Sequence, residues 1–417
     1  MDKNTFSTFN DVLNYLDSKG LFHIDLSLDR MNQALQKLNL VHLPFTVVQV
    51  LGTNGKGSTA SFLANICQKH HLRTGLYTSP HFVSPIERIK INGAVIDQQS
   101  WILAAQKIRS VAPDLTYFEF LTIEALLLFC GQIDVAILEA GLGGAHDATT
   151  ATAAQLICYT PIALDHCQVL GATLAQIARD KAKAIHPKAF VCTASQYPDA
   201  LAELAAAATD AGVVLEMAKP LVDLTGFALK GQHQAINGGL AVLAFQRLAA
   251  ILGIGIDAKL IDMGLREAFV PGRLQYVAAS KQYPAMILDG GHNPHGVQTI
   301  IQALRTFPRP AALIYACLDD KDWPNALRLL AQEYRGKIPA YFPILHNPRA
   351  SQAAKMHAMW YNNSYQGIKP DFTPKTVNEI LAHLLDRQES GYVLVTGSLY
   401  LLAEIYAQFP DLLEKQN

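Results

Sequence analysis

The stretch that decides the fold is Val47 to Thr59, VVQVLGTNGKGST, where an apolar run of β character breaks into three glycines, one lysine and two hydroxyls. Glycines at 52, 55 and 57 let the backbone turn tightly and aim successive N–H groups at one anion. An apolar helical run follows, Ala60 to Ile66, so a helix opening near Ser58 adds its positive end. Gly52, Thr53, Asn54, Gly55, Lys56, Gly57, Ser58 and Thr59 together read as a phosphate cradle. Lys56 reaches a β- or γ-phosphate as a point charge, and Ser58 or Thr59 holds Mg2+ through its hydroxyl. The spacing departs from G-x-x-x-x-G-K-[ST], because Gly57 separates Lys56 from Ser58. The plainer alternative is a glycine-rich strand-to-helix turn that binds nothing.

Outward from this loop, short β-rich runs alternate with helical ones. Phe45 to Leu51, Thr74 to Thr78, Val135 to Glu139, Leu156 to Thr160 and Phe190 to Cys192 read as strands, with helices such as Phe118 to Cys130 and Leu201 to Ala211 between them. Such alternation predicts a parallel sheet covered by helices on both faces, with ligands at the carboxyl ends of the strands. A long helix, Asn237 to Leu252, precedes VPGRLQYVAASKQYP (Val270 to Pro284), whose prolines, glycine and polar residues mark a hinge. A second series then begins, with strands at Ala285 to Asp289, Ala312 to Leu318, Ala340 to Leu345 and Tyr392 to Thr396. Helices Trp323 to Tyr334, Val377 to Arg387 and Leu399 to Phe409 accompany them. The expectation is two α/β domains, 1–277 and 282–417, facing one another across a cleft.

With 417 residues, 50% hydrophobic and 17% charged, the chain has material for two cores. Its 34 basic and 35 acidic residues leave a net charge of -1, which argues against the basic footprint of a nucleic-acid binder. The N-terminus lacks the basic start and apolar core of a signal peptide, and no apolar run approaches the roughly 20 residues that span a bilayer. A cytoplasmic monomer with no membrane partner is expected. The six cysteines (67, 130, 158, 167, 192, 317) form no C-x-x-C pair and read as reduced, small hydrophobes.

Three residues have two readings each. Glu139 ends an apolar strand before a glycine cluster, so it is either a Mg2+ ligand or an exposed strand-end acid. His166, beside Asp165, is on general grounds a hydrogen-bonded structural residue. Lys181 alternates with Arg179 and Lys183, as on a solvated helix face.

The motifs GTNGKGS, YTSPH, ERIKING, YFEFLT, LEAGLGG, ALDH and RDKA, in that order, resemble the folylpolyglutamate synthase family and its bifunctional dihydrofolate synthase/folylpolyglutamate synthase form, a branch of the Mur-ligase superfamily. The likeness runs from about Ile24 to Glu404. It implies an N-terminal P-loop domain with a mostly parallel sheet, like the central domain of Mur ligases, and a smaller Rossmann-like C-terminal α/β domain. The implied partners are ATP, Mg2+ (two ions), L-glutamate, and dihydropteroate or a reduced folate. The implied metal ligands are Ser58, Ser79, Glu139, His166 and Lys181, the last carbamylated so that it offers oxygen in place of an ammonium. Lys56, Glu139, His166 and Lys181 become the catalytic set. Asn237, Arg273, Asp289 and His292 match ATP contacts, with Asn237 expected in the second domain's wall. Asp320-Lys321-Asp322, Arg349 and Gly397-Ser398 also match positions around that cleft. For the pterin and its carboxylate the candidates are Asp25, Arg30, Ser79, Arg88, Tyr117, Phe118, Thr122 and Asp147, although Tyr117 and Phe118 also suit a core.

Departures fall on the acid-facing loop. The family's GLGGRLDATN is GLGGAHDATT here, changing positions 145, 146 and 150, while Ser27 and Lys183 stand where glycine is usual. The reading is an ATP-dependent ligase joining L-glutamate to a folate-type acid through an acyl phosphate. The alternatives are a paralogue with another carboxylic acid acceptor, a P-loop kinase, or a non-catalytic nucleotide-binding protein.

Overall fold

The computed structural model describes residues 5–20, 27–361, 371–387 and 391–415. These fall into two compact units: Met1–Gly226 with Ala235–Ala268, and Phe227–Gln234 with Phe269–Asn417.

The first unit holds an eight-stranded sheet. Its strands are β1 (Thr46–Leu51), β2 (Thr74–Tyr77), β3 (Ile89–Ile91), β4 (Ala94–Val95), β5 (Val135–Glu139), β6 (Leu156–Tyr159), β7 (Phe190–Thr193) and β8 (Leu215–Met217). The order is β4-β3-β2-β5-β1-β6-β7-β8. From β2 to β8 every pairing is parallel, and β1 sits between β5 and β6 in register Val50↔Glu139 and Val50↔Cys158. β5 and β6 are buried along their whole length, which is why they read as unbroken apolar runs instead of alternating ones. The β4 edge turns antiparallel. Asn92 and Gly93 between β3 and β4 both have positive φ, 51° and 84°, the signature of a two-residue hairpin. The sequence reading missed this hairpin, and β8 as well.

The second unit carries β9 (Gln275–Val277), β10 (Met286–Asp289), β11 (Ala312–Tyr315), β12 (Ala340–Tyr341) and β13 (Val393–Thr396) in the order β12-β11-β13-β10-β9. Only β9 runs antiparallel. Because β9 belongs to this sheet, a boundary at 277 lies too late: the second unit takes over at Phe269 and also includes Phe227–Gln234. Its core gathers Val297, Leu313, Leu327, Leu330 and Trp360 around that sheet.

One expectation about apolar runs is corrected. Gln234–Leu252 is a helix of 19 residues, long and apolar enough to cross a membrane. Its Leu240, Ala241, Ala244, Phe245, Leu248 and Ala249 are buried, which makes it a core helix of the first unit. All six cysteines are free thiols, and Cys167 is exposed.

Candidate active site

In the first unit, β1 leads away toward β2 while its neighbour β6 leads toward β7 on the opposite side. Open α/β sheets form their ligand crevice at such a divergence. The Gly52–Gly55 turn fills this position and depends on its glycines: Gly52 has φ 134° and Gly55 φ 91°. A methyl on Gly52 would stand 2.0 Å from Thr160 Oγ1, and one on Gly55 2.2 Å from Asn237 Oδ1. The Thr53 and Asn54 amides both donate to the Pro161 carbonyl, at 3.1 and 3.2 Å. Thr53 Oγ1 donates to the Ala163 carbonyl at 3.1 Å and accepts the Ala163 N–H at 3.0 Å. Lys56 opens the helix Lys56–Lys69 and folds Nζ back to within 3.4 Å of the Gly52 carbonyl and 3.2 Å of the Thr53 carbonyl. Ser58 and Thr59 are buried in its first turn, and Thr59 Oγ1 has no hydrogen-bond partner.

Asn237 therefore belongs with this turn in the first unit, not with the second domain as expected. Glu139 ends β5 beside Val50 and is buried. Its Oε2 accepts the Ser79 backbone N–H at 3.0 Å and lies 3.4 Å from where a Gly57 Cβ would stand. The carboxylate thus faces the first turn of the helix.

Among the described residues no group of three or more His, Cys, Asp or Glu could hold a metal ion. Mg2+ fits such a site, because it is bound by one or two carboxylates plus substrate phosphates and water and needs no all-protein cage. Glu139, the Ser58 and Ser79 hydroxyls and the orphaned Thr59 Oγ1 offer the hard oxygens it prefers. His166 heads the short helix Cys167–Leu170 with φ 50°. Its side chain is 46% exposed, with Nε2 3.9 Å from Asp165 Oδ2.

Lys181 is not on a solvated face. It is buried in the helix Leu174–Ala182, while Arg179 beside it pairs outward with Glu203. Burial, reinforced by the Lys56 charge and opposed by Asp147, Asp180 and Asp165, brings its ammonium down to about 7. Asp180 also accepts the Gly144 N–H at 3.0 Å. The glycines of LEAGLGG let the two backbones touch, since a Cβ on Gly144 would stand 2.5 Å from the Lys181 carbonyl oxygen.

The proposed acid-binding residues divide. Asp25 lies outside the described residues. Arg30 is committed to Glu119, with Nε to Oε2 at 3.1 Å and Nη2 to Oε1 at 3.0 Å, and Glu119 in turn caps the helix Tyr117–Phe129 through Thr116. Asp147 is a loop staple. One oxygen takes the Gly141 and Leu142 amides at 2.7 and 2.9 Å, and the other takes Thr149 N–H and Oγ1–H at 2.9 and 2.5 Å. Burial still raises its carboxyl, against the pull of those bonds.

Arg88 is buried, stands 5.6 Å over the Tyr117 ring and donates through Nε to His81 Nδ1 at 2.9 Å. Desolvation and this guanidinium hold His81 neutral, down to about 3. Phe118 covers Gly141, where a Cβ would meet the ring at 2.7 Å, and Thr122 Oγ1 joins Tyr77 OH at 3.3 Å. The sequence reading gave no role to His81 or Asp180, although both sit in motifs it used, YTSPH and RDKA.

In the second unit, Asp289 ends β10 and accepts the Leu274 and Gly291 amides, each at 2.8 Å. Burial raises this carboxyl, and the Arg273 charge opposes that rise only in part. His292 Nδ1 donates to the Gly290 carbonyl at 2.9 Å. Asn293 caps the helix Pro294–Leu304 through Gly296 N–H at 2.7 Å. Gly397 N–H donates to the Gly291 carbonyl at 3.1 Å, and Ser398 caps the helix Leu399–Gln408. Arg349 pairs with Asp320 at 2.6 Å, and Asp322 caps the helix Trp323–Tyr334. A separate cavity of about 610 Å3, lined by His357, Tyr361, Phe372, Lys375, His383 and Arg387 among others, contains no residue predicted from sequence.

A phosphate loop at a sheet's switch point in one unit, followed by a second α/β unit, is the frame of a Mur-type ligase. Residues 272–399 match the family model for the Mur ligase glutamate ligase domain. Dihydrofolate synthase/folylpolyglutamate synthase of Mycobacterium tuberculosis is 32% identical over 384 residues, covering 78% of this chain and 76% of that protein. The Bacillus subtilis protein of the same name is 29% identical over 96% of this chain and 99% of its own. Among solved structures, Escherichia coli FolC in complex with DHPP and ADP superposes with TM-score 0.83 at 28% identity, covering 97% of this chain and 98% of that one. A bifunctional folylpolyglutamate synthase/dihydrofolate synthase with Mn, AMPPNP and L-glutamate bound gives 0.79 at 26%, with the same coverage. The chain belongs to the dihydrofolate synthase/folylpolyglutamate synthase family.

Proposed function

We propose that this chain is an ATP-dependent ligase that joins L-glutamate to a folate-type carboxylic acid: dihydropteroate, a reduced folate, or both. The observation that carries the reading is Glu139 held against the first turn of the Gly52–Thr59 loop, in a chain whose family members bear these activities in their names.

In this reading the substrate carboxylate attacks the γ-phosphorus of ATP, the bond to the β–γ bridging oxygen breaks, and ADP leaves. The glutamate amine then adds to the acyl phosphate, phosphate departs, and the amine proton passes to solvent or a nearby base. Neither step needs a side-chain nucleophile, so positioning and charge neutralisation supply the catalysis. Lys56 turns from the loop carbonyls to the β/γ-phosphates. Bound Mg2+, held through Ser58, Ser79, Glu139 and His166, would offset phosphate charge. Lys181 has a specific aptitude: the unprotonated amine is the form that adds CO2, an ammonium brought down to about 7 leaves about half of it in that form at pH 7, and the resulting carbamate would exchange a cation for oxygen donors. Arg88, Tyr117, Phe118 and Thr122 hold the acid, while Arg30 and Asp147 shape the walls. The second unit contributes Arg273, Asp289 and His292 to the nucleotide and carries the glutamate site. A cytoplasmic location goes with this reading, as the compartment that supplies ATP.

A P-loop kinase would leave residues 272–399 without a role. A different acid acceptor is favoured by one observation only, the altered 145–150 loop. There His146 is exposed, but Thr150 has a structural task, its Oγ1 donating to the Gly144 carbonyl at 2.7 Å. The test is ADP release with a panel of carboxylic acids, with and without L-glutamate. Release that requires both glutamate and a pterin-bearing acid supports the reading, and release with another acid alone moves the chain to the paralogue.

A further inference from the structure

The turn that presents Arg273 is in an unfavourable backbone conformation. Gly272 has φ 67°, and Leu274, which bears a Cβ, has φ 44°. A branched aliphatic residue in the left-handed region persists only where its surroundings over-determine it. Here they do. The Leu274 N–H donates to Asp289 Oδ2 at 2.8 Å, and the Gly272 carbonyl accepts the Gly290 N–H at 2.9 Å.

The third hold comes from Gln275, buried at 7% exposure, whose Oε1 accepts the Gly272 N–H at 3.0 Å. The Gln275 amide is itself fixed from the end of the chain. Tyr406 OH, on the fully buried side of the helix Leu399–Gln408, donates to Oε1 at 2.6 Å, and Nε2 donates to the Leu412 carbonyl at 2.7 Å in the 3-10 turn Pro410–Leu413. All three Gln275 bonds are buried, where an unmade partner is costly.

We propose that Gln275 and Tyr406 are positioning residues for Arg273, forming with Leu412 a buried brace that ties the C-terminal helix and turn to the nucleotide-binding arginine. This rests on the reading of Arg273 as an ATP contact. Gln275 is buried and bonded at both ends of its amide inside the fold, which leaves it to act through Arg273 and not on a ligand directly. It acts by holding Gly272 so that Arg273 leaves the turn in one direction only. A backbone held in one conformation by these bonds presents the arginine preorganised, which reduces what nucleotide binding has to order.

The experiment uses the full chain and three substitutions: Gln275→Met, which keeps the volume and removes the polar brace; Tyr406→Phe, which removes one hydroxyl; and Arg273→Ala as reference. KM is measured for ATP, glutamate and the folate acid, together with AMPPNP affinity and thermal melting. The expected result is a roughly tenfold rise in KM for ATP and a matching loss of AMPPNP affinity in Gln275→Met. Tyr406→Phe should give a smaller rise, of about threefold, with KM for the other two substrates unchanged in both. Should Gln275→Met fail to fold, Tyr406→Phe alone decides. A lowered melting temperature with all three KM values unchanged, while Arg273→Ala does weaken ATP, would make the brace purely structural and overturn the proposal. An unchanged KM for ATP in Arg273→Ala would overturn the reading of Arg273 and the proposal with it.

Discussion

Replacing Lys181 by methionine should make the protein more stable at pH 7 while abolishing its chemistry. Bringing an ammonium from its ordinary 10.5 down to about 7 corresponds to about 5 kcal/mol held against the charged form. The sign follows from proton counting. Between about pH 7 and 10.5 the unfolded chain carries a proton on this amine that the folded chain lacks, so stability rises with pH through that window, by about 1.4 kcal/mol per pH unit. At or below pH 7 the whole burden is present, and above 10.5 it is gone. A methionine of similar reach places no charge among Ile177, Ala178 and Ala182, which share the buried face. Urea unfolding of both proteins in CO2-depleted buffer at pH 6, 7, 8, 9 and 10 would read the difference. The variant should lead by up to about 5 kcal/mol at pH 6 to 7, and its lead should shrink steadily toward pH 10. A lead that does not change with pH, or a variant less stable at every pH, would refute the argument that burial governs Lys181.

Three further outcomes are expected. Lys181→Ala should be nearly inactive and should recover partly with added acetate in the ADP-release assay. Recovery with a small amine instead would show that a cation, not a carbamate, is what the site uses. Glu124, fully buried with neither carboxyl oxygen bonded, has a pKa raised well above its ordinary 4.5 by desolvation. Here the folded chain keeps a proton that the unfolded chain loses above about pH 4.3, so wild-type stability should fall as pH rises. The advantage of Glu124→Leu in urea unfolding should accordingly grow from pH 5 to pH 8, and a constant or negative difference would count against it. Gly52→Ala meets both a φ of 134° and a Thr160 Oγ1 at 2.0 Å; it should lower the melting temperature by several degrees and weaken AMPPNP binding at least tenfold, and normal values of both would mean that the turn tolerates a side chain.

The sequence carried the loop and the strand ends because phosphate chemistry and parallel sheets write local patterns. Gly52, Gly55 and Glu139 are each read from their immediate neighbours. The hairpin at Asn92-Gly93 was missed because its strands, Ile89–Ile91 and Ala94–Val95, hold three and two residues, too few for periodicity to register. Lys181 reads from its neighbours alone as part of a solvated face, yet the sequence held the signal of its burial. Counting by helical steps places it on one stripe with Ile177, Ala178 and Ala182, whereas Arg179 and Lys183, two residues either way, point elsewhere. Arg30 with Glu119 was not readable, since 89 residues separate the partners and either could have faced a ligand. Asn237 misled because the resemblance grouped it with ATP contacts of the second domain, although the expected boundary at 277 already left it in the first.

The account turns on the claim that Glu139, at the phosphate loop, serves an acyl-phosphate amide ligation. The most direct measurement is single-turnover formation of the glutamyl amide from dihydropteroate or a reduced folate, ATP, Mg2+ and L-glutamate, by wild type and by Glu139→Ala, with the melting curve of each recorded alongside. The expected result is one ADP released per amide formed in wild type, and amide formation slower by several orders of magnitude in the variant, with an unchanged melting curve. Amide formation at a near-normal rate by a folded Glu139→Ala protein, or ADP release by wild type with no amide product from either acid, would contradict it.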